Sequence, residues 1–200
     1  MANLPHDDKV YKGGEDAFTA SEKLIAVADG VGGWARQGVD PGLFAKQLTK
    51  DIQRFFNEYG SSKSLKEILI EAVKVNTNKG SSTAVLACLE EPNIMRTTNL
   101  GDSGYVIYRA SHPTEGYNNK DEIVLTKAFR SEEQQYRFNF PYQCGTGCEL
   151  PHKAFDNEHE VAPGRDFVIM GTDGLFDNLY DRDIHGCLLP SVKAIKEKKD

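Results

Sequence analysis

The stretch Leu24-Ile25-Ala26-Val27-Ala28-Asp29-Gly30-Val31-Gly32-Gly33-Trp34 decides how the chain is read. Its opening run of small and branched apolar residues predicts a buried strand, which ends on a carboxylate and a glycine-rich turn. An acid at the mouth of an apolar strand loses hydration unless a cation or a hydrogen-bond donor meets it. The pattern returns in Phe167-Val168-Ile169-Met170-Gly171-Thr172-Asp173-Gly174. Two strands that each deliver an Asp-Gly to their ends point either to one polynuclear metal site or to two ordinary Asp-Gly turns.

Outward from that stretch, residues 17–20 and 24–28 predict a hairpin around Ser21-Glu22-Lys23, and residues 1–12 an extended, partly exposed lead-in. Asp40-Pro41 reads as a helix cap with proline in the first turn. Phe44, Leu48, Ile52, Phe55 and Tyr59 then recur along one helical face until Gly60. Ser64 and Glu67 form a capping box for a second helix with the stripe Leu65, Ile68, Leu69, Ala72 and Val73. Beyond it, residues 83–89, 94–100 and 105–109 alternate like strands and predict an antiparallel meander. A polar loop over 111–120 and a strand over 123–126 follow, while residues 129–160 carry little periodicity and read as irregular surface turns. The last stretch is helical around Ile184 and Leu188, with a break expected at Pro190 before Val192 and Ile195. Two amphipathic helices need a sheet to cover, so the prediction is a layered α+β sandwich.

The 200 residues suit one domain, and the net charge of -6 with acids and bases intermixed argues against a nucleic-acid groove. Lys193, Lys196, Lys198 and Lys199 read as a solvated helix tail. No apolar run approaches the ~20 residues that span a bilayer. Residues 1–8 resemble neither a signal nor a transit peptide, so a cytoplasmic chain or an omitted targeting segment is expected. Cys88, Cys144, Cys148 and Cys187 are expected to be reduced thiols; Cys144, Cys148 and His152 supply too few ligands for structural zinc. Nothing in the sequence demands an oligomer, and a monomer is expected.

Five segments occur in an order that resembles the metal-dependent serine/threonine protein phosphatases, the PPM type or protein phosphatase 2C. They are Gly14-Glu15-Asp16-Ala17, Ala28-Asp29-Gly30-Val31-Gly32-Gly33-Trp34, Gly80-Ser81-Ser82-Thr83-Ala84, Asn99-Leu100-Gly101-Asp102-Ser103-Gly104 and Gly171-Thr172-Asp173-Gly174-Leu175-Phe176-Asp177-Asn178. The Val31-Gly32-Gly33-Trp34 turn and Phe138-Asn139-Phe140-Pro141-Tyr142-Gln143 resemble the branch that includes mitochondrial members, so a cytoplasmic or mitochondrial location is expected. The resemblance implies two antiparallel sheets flanked by helix pairs, with a small flap within residues 129–160. It also implies hydrolysis of phosphoserine and phosphothreonine in proteins by a metal-bridging hydroxide, using two Mn²⁺ or Mg²⁺ ions and a third, weaker site. All-oxygen ligands without histidine are in keeping with those metals.

Residue by residue, the resemblance makes Asp29 the acid bridging both metals, Gly30 a carbonyl ligand and Asp173 a ligand of the first metal. Glu15 would hold the second metal with Asp16 supporting it, and Asp102 would serve the third site. Gly80-Ser81-Ser82-Thr83 takes a structural role, and Asp177 and Asn178 orient the helix after the second Asp-Gly.

Three departures stand out. Tyr11 occupies the position of a phosphate-holding arginine, leaving Lys12 or Lys9 as substitutes without its bidentate fork. Val31 replaces a histidine suited to protonating the leaving group. The expected C-terminal strands with their further metal-binding acid do not follow the last helix, so the chain is expected to be a piece of a longer protein. A catalytically impaired binding or regulatory module is the alternative function.

Overall fold

The computed structural model describes residues 1–90, 92–111, 123–148 and 151–197. Most of the predicted 111–120 loop, Glu91 of the turn before Ile94, and the tail residues Lys198 and Lys199 lie outside the described residues.

Strands β1 (Asp16–Ala20) and β2 (Leu24–Asp29) form the predicted hairpin, which places Asp16 opposite Asp29. Helix α1 (Pro41–Tyr59) starts where Asp40 Oδ1 accepts from Gly42 N at 3.0 Å, and Gly60 caps its end. In α2 (Leu65–Val75) both halves of the Ser64/Glu67 capping box are present. Next come β3 (Ser81–Ser82), β4 (Ala84–Glu90), β5 (Ile94–Leu100), β6 (Gly104–Ser111) and β7 (Val124–Arg130). The chain continues through β8 (Gln135–Arg137), β9 (Phe140–Pro141), β10 (Cys144–Gly145), β11 (Phe155–Glu160) and β12 (Asp166–Gly171). It closes with the single turn α3 (Asp173–Phe176) and with α4 (Asp181–Glu197).

The two main sheets are wholly antiparallel, in the orders β1-β2-β4-β5-β11 and β12-β6-β7. Their layering follows from which faces are apolar. Phe44, Leu48 and Ile52 of α1 and Ile68 and Leu69 of α2 bury against Ala26, Ala28, Ala84 and Leu86 on the outer face of the first sheet. Each such side chain contributes about 1.5–3 kcal/mol by leaving water. Val27, Val85, Ala87 and Met95 on its inner face meet Tyr105 and Ile107 of β6. The other face of β6 presents Val106, Tyr108 and Ala110 to Ile184 and Val192 of α4. Helices, sheet, sheet and helix therefore stack as an α+β sandwich.

Four elements differ from the sequence reading. β6 does not extend a meander from β5; it starts the second sheet, because both of its faces are apolar and need cover on two sides. β11, within the stretch read as irregular, is an edge strand paired with β5. Residues 7–12 are a 3-10 turn, not extended chain. Helix α4 runs through Pro190 without breaking, held by Ile184, Leu188 and Val192 against the sheet although proline has no N–H to give.

Candidate active site

The hairpin register and the β6–β12 pairing bring four acids to one end of the sandwich. Asp29 ends β2, Asp16 faces it from β1, Asp173 opens α3 just past β12, and Asp102 lies in the turn from β5 to β6. Asp29 lies close enough to Asp16 and Asp173 for both to act on its carboxyl. Burial, then the charges of Asp16 and Asp173, push its carboxyl up to about 10. Burial also raises Asp16, with the Asp173 charge adding to it. The Asp102 carboxyl rises to about 6, chiefly through burial and next through Asp173. Like charges crowded in a poorly hydrated space disfavour their ionised forms.

The strand that carries Asp29 is braced by hydroxyls. Thr83 Oγ1 accepts from Asp29 N (3.2 Å), Thr83 N donates to Asp29 O (3.0 Å), and Ser82 Oγ donates to Asp29 O (2.7 Å). Thr83 Oγ1 is itself bonded to Ser103 Oγ at 2.7 Å, which ties the Asp29 strand end to the Asp102 turn. Gly30 allows a close crossing: a Cβ there would stand 2.5 Å from the Pro41 carbonyl oxygen and 2.9 Å from that of Glu15. The Gly80-Ser81-Ser82-Thr83 segment is thus turned inward, with all three hydroxyl residues buried.

Glu15 stands beside the cluster, but its oxygens go elsewhere. Its buried carboxylate is paired with Lys9 and, at 2.8 Å, with Lys12, whose Nζ also lies 3.5 Å from Asp40. Burial pushes Glu15 up, yet the hydrogen bonds from Lys12 and Lys9 outweigh it and hold the carboxyl below its ordinary range. Lys9 and Lys12, the substitutes named for phosphate binding, are therefore both engaged by Glu15. Tyr11 between them is exposed. Asn178 Nδ2 bonds Gly174 O at 3.0 Å across the α3 turn.

No group of three or more His, Cys, Asp or Glu among the described residues is assembled to hold a metal ion in this arrangement. The donor chemistry nevertheless fits hard divalent cations. Asp16, Asp29 and Asp173 repel one another, Asp173 also raises Asp102, and Asp102 Oδ1 is buried with no hydrogen-bond partner. A dication that takes oxygen ligands would relieve both conditions. Cys144 is buried with its thiol pushed up to about 12 by burial, and Cys148 is a free thiol bonded to Gln143 Oε1 at 3.5 Å.

Sequence reasoning missed Gln134, which is buried and pins the Asp102 turn. Its N donates to Gly101 O (2.9 Å) and its Oε1 accepts from Gly101 N (3.2 Å). A lone glutamine in an aperiodic stretch carries no signal of such a role. A cavity of about 330 Å³ beside the acids is lined in part by Asp16, Phe18, Thr172 and Gly174. A larger groove of about 840 Å³ lies away from them, along Lys63, Leu89, Arg96 and Glu158. Arg96 there is spent on Glu90 and Glu158, so we assign that groove no part in the chemistry.

Two face-to-face antiparallel sheets with carboxylates gathered at one end define the fold class of the PPM phosphatases. No protein-family model matches the chain. It is 38% identical over 196 residues to Probable protein phosphatase 2C 55 of Arabidopsis thaliana, covering 96% of this chain and 38% of that protein. It is 35% identical over 205 residues to Protein phosphatase PTC7 homolog fig of Drosophila yakuba, covering 92% of this chain and 58% of that one. The chain thus spans well under two thirds of either relative. The X-ray structure of the photosystem II phosphatase PBCP superposes with a TM-score of 0.79 at 29% identity, covering 97% of this chain and 75% of that one. The catalytic domain of the phosphatase PstP, solved with 2 manganese ions, shares the fold at a TM-score of 0.55 and 15% identity, covering 91% of this chain and 82% of that one. Over nearly all of its length the chain is thus similar to protein phosphatases of the 2C (PPM) type.

Proposed function

We propose that the chain hydrolyses phosphoserine and phosphothreonine in proteins with the help of Mn²⁺ or Mg²⁺. The observation that carries this reading is the convergence of Asp16, Asp29, Asp102 and Asp173 at one sheet end, in a chain similar to phosphatases of this type. Asp29, the Gly30 carbonyl and Asp173 would hold two cations together with Glu15, and Asp102 a third. The manganese in the PstP structure supports that choice of metal. Such cations, when bound, neutralise phosphoryl charge and lower the pKa of a water nucleophile.

This chain's own residues do the positioning. Ser82 and Thr83 hold the Asp29 backbone, Gly30 lets Pro41 approach, and Gln134 steadies the Asp102 turn. Asp16 stands opposite Asp29 in the hairpin register, beside its carboxyl. Lys9 and Lys12 reach a substrate phosphate only on release from Glu15. Val31 supplies no proton, so leaving-group protonation falls to water.

The substrate is a phosphoprotein and the working unit a monomer. No helix among the described residues is long and apolar enough to cross a membrane. A cytoplasmic or mitochondrial location follows from the branch that the Gly-Gly-Trp turn resembles, and cell fractionation checks it.

A second reading, a binding module with impaired catalysis, is favoured by the commitment of Glu15 to two lysines. The deciding experiment is release of phosphate from a phosphothreonine peptide with Mn²⁺, with EDTA, and with Asp29→Asn. Turnover that needs Mn²⁺ and is lost in Asp29→Asn is expected. A folded chain that binds Mn²⁺ without turnover would leave the binding module.

A further inference from the structure

The Phe138-Asn139-Phe140-Pro141-Tyr142-Gln143 motif has no part in the chemistry above, yet its last residue is wired to it. Trp34 lies in the 3-10 turn Gly32–Gln37, immediately beyond Asp29 and Gly30. Its Nε1–H donates to Ser81 Oγ at 2.6 Å, and the same oxygen donates to Gln143 Oε1 at 2.6 Å. A hydroxyl has one proton; accepting from the indole, it must give that proton to Gln143, so the direction of the relay is determined. Gln143 Nε2 donates to Pro141 O at 3.1 Å, which sets the amide so that its oxygen faces Ser81.

Ser81 is fully buried, and its carbonyl accepts from Val31 N at 3.0 Å. One residue on, Ser82 holds the Asp29 carbonyl and pairs with Cys144 across β3 and β10. At its other end the same segment is pinned through Gln134 to the Asp102 turn. Between these two tethers the exposed rings of Tyr136, Phe138 and Phe140 project.

We propose that Gln143 is a positioning residue that couples the Gln135–Gly145 segment, through Ser81 and Trp34, to the Asp29–Gly30 turn. The inference rests on the reading of that turn as a divalent-cation site. A chain of neutral hydrogen bonds centred on the fully buried Ser81 hydroxyl transmits a shift at either end, because leaving that hydroxyl unpaired costs its desolvation. The coupling is reciprocal: whatever displaces the aromatic hairpin alters cation affinity, and cation binding alters the hairpin.

Trp34 is the single tryptophan of the sequence, so tryptophan emission reports on its surroundings, the Ser81 bond and the Lys79 ammonium 5.5 Å from the ring centre. The test measures Mn²⁺ dissociation constants by calorimetry, and Trp34 emission, for the wild type, Ser81→Ala, Gln143→Ala and the double variant. Each single substitution is expected to weaken Mn²⁺ binding about three- to tenfold: Ser81→Ala removes both relay bonds and Gln143→Ala the one from Ser81, and about one neutral hydrogen bond's worth is felt at the cation site. The double is expected to be no weaker than the worse single, since both cut one chain. Mn²⁺ should shift Trp34 emission in the wild type and shift it less in Gln143→Ala.

Unchanged affinity in Gln143→Ala, or single effects that multiply in the double, would overturn the coupling. Should buried Ser81 tolerate no change, Trp34→Phe removes the same donor and takes its place in the calorimetric cycle. Coupled singles in a chain that releases no phosphate would sink the phosphatase reading and keep the relay. Turnover with independent singles would do the reverse, and a wild type that binds no Mn²⁺ would overturn both.

Discussion

Two polar regions of this sandwich are buried to similar depth and treated in opposite ways. In the interior, Tyr105 Oη joins Thr97 Oγ1 and His159 Nε2, each at 2.8 Å, and Phe129 packs on the His159 ring at 4.4 Å. Every tip there has a partner, and no formal charge is needed. At the sheet end, Asp16 and Asp173 crowd Asp29, Asp173 also acts on Asp102, and Asp102 Oδ1 has no partner. Buried polar groups are ordinarily satisfied, and exceptions gather where a ligand or a reaction completes them. The interior network holds the sheets together; the acidic end holds carboxyls whose ionisation the fold opposes.

That contrast can be broken most directly at Asp29. Asp29→Asn should reduce Mn²⁺-dependent phosphate release on the order of a thousandfold. It should also raise the metal-free melting temperature by about 4–8 °C, equivalent to about 2 kcal/mol. The sign follows from the raised carboxyl: above its ordinary range the fold must keep a proton on Asp29 or bury its charge, and the amide escapes both. A lower melting temperature would mean that the acids are not in conflict.

Gly30→Ala tests the scaffold under the same acid. Its Cβ would stand 2.5 Å from the Pro41 carbonyl oxygen, so a loss of about 2–3 kcal/mol is expected in urea titrations. Tyr105→Phe turns the comparison round by orphaning Thr97 and His159 in the interior. It should cost about 1–3 kcal/mol and leave Mn²⁺ affinity unchanged, as calorimetry would show.

The smallest effect concerns pH. Burial holds the His159 pKa below its ordinary value, so the imidazole is neutral in the fold. As pH falls below about 6.5 the unfolded chain takes up the proton first, and stability declines until the folded-state pKa is passed. His159→Gln should flatten that decline between about pH 7 and 5. The difference is under about 1 kcal/mol after solvent screening, readable as melting temperature against pH.

The local elements were legible because their signals are local. Asp40-Pro41 before a helical stripe, the Ser64/Glu67 box, and the β1–β2 hairpin each depend on neighbours within a turn or two. The candidate acids were legible for the same reason, as carboxylates placed at strand ends and turns. The partner strand of β6 was not, since alternation and a Gly-Asp-Ser-Gly turn look alike in a hairpin and in a crossover between sheets. Its double-sided apolar pattern, Tyr105 and Ile107 against Val106 and Tyr108, was the available clue.

By itself, then, the sequence determined the helices with their caps, the strands around Asp29 and Asp173, and the placing of those acids at strand ends, because each depends on residue type and short spacing. Only the tertiary structure decided that Lys9 and Lys12 close on Glu15, that β11 borders the first sheet, and that Gln143 reaches Trp34 through Ser81. The strand pairing joins Ile94 to Glu160 and the relay joins Ser81 to Gln143, 62 positions apart, so both exist only in the folded chain; Lys9 and Lys12 are near Glu15 in sequence, but spacing did not say which acid they would take.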